Sequence, residues 1–187
     1  MSETVIVALI GIAGTMLSPI VSSINERCKA KNERKLHAQR ISFEYEFDLY
    51  RILAEKHLTM VYDAGTAVML SRGCKYPNVD SNKDFVTVFA QHIDDADIEN
   101  KRSAPFISKE IFEDYKKLGK LSFEALSFFD LLCKFEENRT PRLIYNGKSY
   151  SEVEAQSKLS ILQKDISALS DNILDKIRNH ISNSYNN

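Results

Sequence analysis

From Val5 to Ile24 the chain runs for twenty residues without a charge, and no other stretch constrains its fold as strongly. Twenty helical residues at about 1.5 Å each span about 30 Å, the hydrocarbon thickness of a bilayer. Residues 26–40 then carry Arg27, Lys29, Lys31, Arg34, Lys35 and Arg40 against only Glu26 and Glu33. The pattern predicts a short extracytoplasmic terminus (1–4), a transmembrane helix (5–24) and a basic juxtamembrane stalk (25–40). Basic residues beside a span stay on the cytoplasmic side. The expected placement is the cell inner (plasma) membrane, single-pass, with the amino terminus outside and the carboxy-terminal domain cytoplasmic. Arg27, Lys29, Lys31, Arg34 and Lys35 are the candidates for headgroup contact, worth about 1 kcal/mol for each well-placed cation.

Three other readings of the apolar run fit less well. A signal peptide needs a basic start and a small-x-small cleavage site, but Met1-Ser2-Glu3-Thr4 has an acid and no base. Only Val21-Ser22-Ser23 offers a weak cleavage match. A buried core helix is seldom apolar on all sides for so long, and an amphipathic surface helix needs a charged face. Inside the run, Gly11, Thr15, Ser18 and Ser22 are spaced four, three, four. Small residues on one face let membrane helices approach closely, so these four are the candidates for self-association. Their competing role is to satisfy the backbone carbonyl freed by Pro19.

The formal net charge is −1. With the stalk basic, residues 41–187 are net acidic, which excludes the usual footprint of a nucleic-acid binder. Cys28, Cys74 and Cys133 are widely spaced and odd in number, so neither a disulfide framework nor a metal or redox pair is expected. Cys28 lies four residues past the apolar run, where acylation competes with a bystander role.

Beyond the stalk the chain reads as all-α, an antiparallel bundle of about four helices over 41–182 with a disordered tail at 183–187. The first apolar stripe is expected to begin near Leu36 and Ile41 and to continue through Tyr45, Leu49, Ile52, Leu53, Met60, Val61, Ala64, Ala67 and Val68. Gly73 should end that helix. A second helix, from about Lys83 to Asn100, carries Phe85, Val88, Phe89, His92, Ile93 and Ala96 on one face. Ser108 is the expected cap of a third, which runs from Ile111 past Phe135 and ends before Pro141. Asn146-Gly147, set between short β-formers, predicts a small hairpin at 142–150. Ser151-Glu152-Val153-Glu154 is a capping box, and it opens a last helix with Leu159, Leu162, Ile166, Leu169 and Ile173 at heptad spacing.

His92, Asp95 and Glu99 form the densest cluster of potential acid–base or metal-ligating groups. The plainer reading is a half-buried histidine beside a solvated acidic face. Phosphate loops, nucleophile elbows, Glu-x-x-His pairs and calcium loops are all missing from the sequence. No catalytic, cofactor-binding or metal-ligating residue is therefore assigned, and no cofactor is expected. The layout resembles that of small bacterial and phage membrane proteins, in architecture only. The expected function is a non-catalytic, membrane-tethered module for protein interaction or assembly. Its partners would be the lipid bilayer, a second copy of itself and a further protein, not nucleic acid. A small membrane-bound enzyme with a site near His92 and Asp95 is the alternative, and an oligomerising lysis or pore-forming protein is the third reading.

Overall fold

This computed structural model describes the backbone of residues 3–75, 81–138 and 140–185, and the side chains of 25–75, 81–138 and 140–183. In chain order the elements are α1 (Glu3–Ser71), α2 (Asn82–Ser103), α3 (Lys109–Asn138), β1 (Leu143–Tyr145), β2 (Lys148–Tyr150) and α4 (Glu152–Tyr185). Among the described residues no helix is long and apolar enough to cross a membrane. The Val5–Ile24 run, on which the transmembrane reading rests, lies outside the described side chains. The fold shown is all-α with one small antiparallel hairpin.

The chain divides into two compact units, Met1–Tyr45 and Glu46–Asn187. In the first, residues 25–42 are exposed throughout. The apolar stripe expected from Leu36 is absent there: Leu36, Ile41 and Tyr45 are all exposed. In sequence they alternate with the charged Lys35, Arg40 and Glu44. The buried face of α1 begins in the second unit, at Tyr50 and Leu53, and runs through Met60, Ala64, Ala67 and Val68.

The second unit is an up-down-up-down bundle, and its cross-helix contacts fix the order. Lys56 pairs with Asp95 and Asp63 with His92, joining α1 to α2. Asn82 and Lys83, at the start of α2, reach Glu136 and Glu137 at the end of α3. At the other end Asn100 donates to the Phe112 carbonyl. Lys176 of α4 bridges Glu110 and Asp114 of α3. His180 meets Glu46, and Gln156 donates to the Ser71 carbonyl, so α4 runs antiparallel to α1. Phe89, Leu118, Phe128, Phe129, Leu159, Ile166 and Ile173 fill the interior. Val88, expected on the buried face of α2, is exposed instead. It lies one position short of Phe89, and Phe85, Phe89, Ile93 and Ala96 already complete the stripe.

Local chemistry sets the helix ends. Ser81 Oγ accepts from the Asp84 N–H, and Ser108 Oγ accepts from the Ile111 N–H. Gly73 takes a φ of +78°. Its N–H returns to the Leu70 carbonyl and that of Cys74 to Met69, the paired bonds of a Schellman stop. The capping box closes reciprocally: the Glu154 N–H meets Ser151 Oγ at 3.3 Å, and the Ser151 N–H meets Glu154 Oε2 at 2.7 Å. In the hairpin Leu143 pairs with Tyr150 and Tyr145 with Lys148. Asn146 and Gly147 both have positive φ, the geometry a two-residue turn of this kind requires. Tyr145 and Tyr150 each set an edge against the Phe128 ring at 5.3 Å, which docks the hairpin on α3.

Candidate functional site

The polar groups that matter most sit at core positions of the bundle. His57 is 0% exposed, and its Nε2 lies 2.7 Å from Ser170 Oγ on α4. Its ring meets that of Tyr115 on α3 edge-on, with centroids 5.4 Å apart. The other ring nitrogen, Nδ1, has no hydrogen-bond partner among the described residues. Burial pushes the imidazole down to about 4, against the opposing pull of the Asp171 carboxylate. His57 is therefore neutral at pH 7. Burial likewise raises the Tyr115 hydroxyl, and the neighbouring Tyr50 adds to that rise.

Two buried carboxylates have different surroundings. Asp63 is buried on α1 and lies 2.6 Å from His92 Nδ1. Burial raises it above the ordinary carboxylate range, and the bond to His92 offsets only part of that. Asp114 is equally buried. Burial pushes it up as well, but hydrogen bonds from Lys176 and Lys117 outweigh that and hold it low. One face of the bundle thus carries a buried acid beside a histidine, and another a buried anion held by two lysines.

The structure does not bring His92, Asp95 and Glu99 into one site. His92 turns to Asp63, Asp95 to Lys56 and Gln91, and Glu99 to Arg102. Three residues on successive turns thus serve three separate contacts. Among the described residues no group of three or more His, Cys, Asp or Glu side chains could hold a metal ion. Arg27, Lys29, Lys31, Arg34 and Lys35 are all exposed. Gly11, Thr15, Ser18 and Ser22 lie outside the described side chains. Cys28 and Cys74 are exposed, whereas Cys133 is buried, which pushes its thiol up to about 12.

Sequence reasoning missed His57 and Asp63 as interior polar groups, although the signal was present: His57 falls four after Leu53 and three before Met60, and Asp63 three after Met60. It also missed an outward-facing apolar stripe on α1. Leu58, Tyr62 and Met69 are 48%, 58% and 46% exposed. With Gly65 they repeat the four, three, four spacing of the small residues in the apolar run. Compared with protein-family models, curated proteins and solved structures, the chain matches none.

Proposed function

We propose that this chain is a membrane-tethered helical module that acts by association, first of all with a second copy of itself. In this reading Val5–Ile24 spans the inner (plasma) membrane, the amino terminus lies outside and the bundle is cytoplasmic. The exposed cations of residues 27–35 would rest against anionic headgroups, where each contributes about 1 kcal/mol. Gly11, Thr15, Ser18 and Ser22 would form the close-packed face between two spans.

The observation that carries the association reading is the exposed Leu58, Tyr62 and Met69 stripe. Large apolar groups repeated along one outer face of a helix are what a second helix packs against. A second copy is favoured as the occupant because the same helix, α1, carries the small-residue face that would bring two copies together.

The test is cross-linking of the full chain in native membranes. Gly11→Leu with Ser18→Leu keeps the run apolar enough to insert but separates the helices, so dimer yield should fall. Tyr62→Glu with Met69→Glu should lower it independently. An unchanged yield in both would reject self-association. Placement is checked on Cys74 in a Cys28→Ser background with a membrane-impermeant maleimide. Strong labelling of intact cells would reject the orientation, and release by alkaline extraction would reject the anchor.

A further inference from the structure

The four histidines of the chain meet different surroundings. His57 is 0% exposed, and His37 stands exposed on the basic segment. His180 Nε2 lies 2.6 Å from Glu46 Oε1, which leaves it only Nδ1, the nitrogen crowded by its own main chain. His92 is the reverse case. Its Nδ1 lies 2.6 Å from Asp63 Oδ2, and 35% of its side-chain surface is open. Among the described residues its Nε2 has no hydrogen-bond partner, yet it is not one of the buried atoms left without one. Nε2 therefore meets water.

The carboxylate that holds this ring is itself buried, with 5% of its side chain exposed. An ionised carboxylate can only accept, so the proton in the contact is the one on His92 Nδ1. The neutral ring then keeps its lone pair on the outward nitrogen, Nε2. A carboxylate on the far nitrogen makes an imidazole more basic and stabilises the positive charge it gains on attacking an electrophile. Asp63 is suited to this because burial leaves it short of solvation. One turn further along α2, Asp95 receives Lys56 of α1 at 3.1 Å and Gln91 at 2.8 Å, so the same seam also carries an ammonium group.

The surroundings narrow the chemistry that such a ring can perform. A cavity of about 340 Å³ opens beside Ile93 and Asp94, but His92 does not line it. The ring is thus presented to an incoming reagent and not aimed into a pocket. An acyl group on imidazole is lost quickly to water, whereas a phosphoryl group on nitrogen persists, and Lys56 is the cation at hand for its charge. We infer that His92 is a phosphoryl-acceptor site, modified on Nε2 by a donor of the phosphoramidate or acyl phosphate class. With phosphoramidate, the Nε2 lone pair forms the new P–N bond while the donor's own P–N bond breaks. Ammonia leaves with that bonding pair. The ring becomes positively charged and keeps its Nδ1 proton against Asp63. The site uses none of Leu58, Tyr62 and Met69, so it is independent of the association surface.

The probe is potassium phosphoramidate, applied at neutral pH to the full chain in lipid nanodiscs. N-acetylhistidine amide in the same solution is the unanchored reference. Phosphorus NMR separates the two ring isomers, and fragmentation mass spectrometry locates them in the chain. His92 is expected to be modified on Nε2 about tenfold faster than the reference, the worth of one hydrogen bond that strengthens as charge develops. Asp63→Asn keeps the side chain's size and removes its charge. The rate at His92 should then fall to that of the reference or below, while the thermal melt is kept. His92→Gln should remove this signal and leave any at His37 unchanged. A wild-type His92 no faster than the reference, a rate unchanged in Asp63→Asn, or modification of His92 on Nδ1 would each overturn the assignment. If Asp63→Asn fails to fold, the wild-type rate and isomer decide by themselves.

Discussion

Acidification should destabilise the bundle through His57, and the size of the effect can be worked from its surroundings. The imidazole is 0% exposed, and burial lowers it from an ordinary 6.5 to about 4. In that range the unfolded chain binds a proton that the folded chain refuses, so stability rises with pH. The contribution is complete above pH 6.5 and is lost progressively as pH falls to 4. Each tenfold in proton affinity is about 1.4 kcal/mol, so the loss across this window is about 3 kcal/mol. That is a large share of the roughly 5–15 kcal/mol that holds a domain folded. The comparison chain is His57→Leu with Ser170→Ala, which removes both partners of the 2.7 Å contact and strands neither. Urea unfolding of both proteins, followed by circular dichroism at a series of pH values, isolates the histidine, because the carboxylates are common to both. The double variant should show a pH dependence flatter by about 3 kcal/mol between pH 6.5 and 4. Superimposable slopes, or a His57 imidazole that titrates near 6.5 by NMR, would refute the reasoning.

Two further outcomes follow from the core. Ile166→Asp and Leu162→Asp each put an unpaired carboxylate at a buried α4 position. Each should cost several kcal/mol and abolish the cooperative melt of a chain beginning at Leu36. Lys176→Met leaves the buried Asp114 with only the more exposed Lys117, at a cost of about 1–3 kcal/mol at neutral pH. Because Asp114 is held below its ordinary 3.8, that cost should shrink as the carboxyl protonates under acid conditions. An unfolding series from pH 7 to pH 3 checks both the size and the direction.

What could be read from the sequence was whatever repeats or caps. Phe85, Phe89, Ile93 and Ala96 announce their helix by spacing, and Asn146-Gly147 and Ser151-Glu154 announce theirs by backbone chemistry. Leu36, Ile41 and Tyr45 misled because an apolar residue fits a stripe on paper whether it ends up buried or exposed. The polar interior was hidden for a related reason. His57, Asp63, Asn100, Asp114 and Ser170 all occupy positions that continue an apolar stripe. A periodicity argument sets such residues aside as interruptions, although helical geometry turns them inward with their neighbours. Their partners then lie on other helices: Ser170 for His57 across 113 residues of sequence, Lys176 for Asp114 across 62. No local window holds both halves of such a pair. The cluster that a local window does hold, His92, Asp95 and Glu99, proved to be three separate contacts with residues on either side. In a bundle of this kind a polar residue on the apolar phase is thus a better pointer to interior chemistry than a dense polar run along one helix.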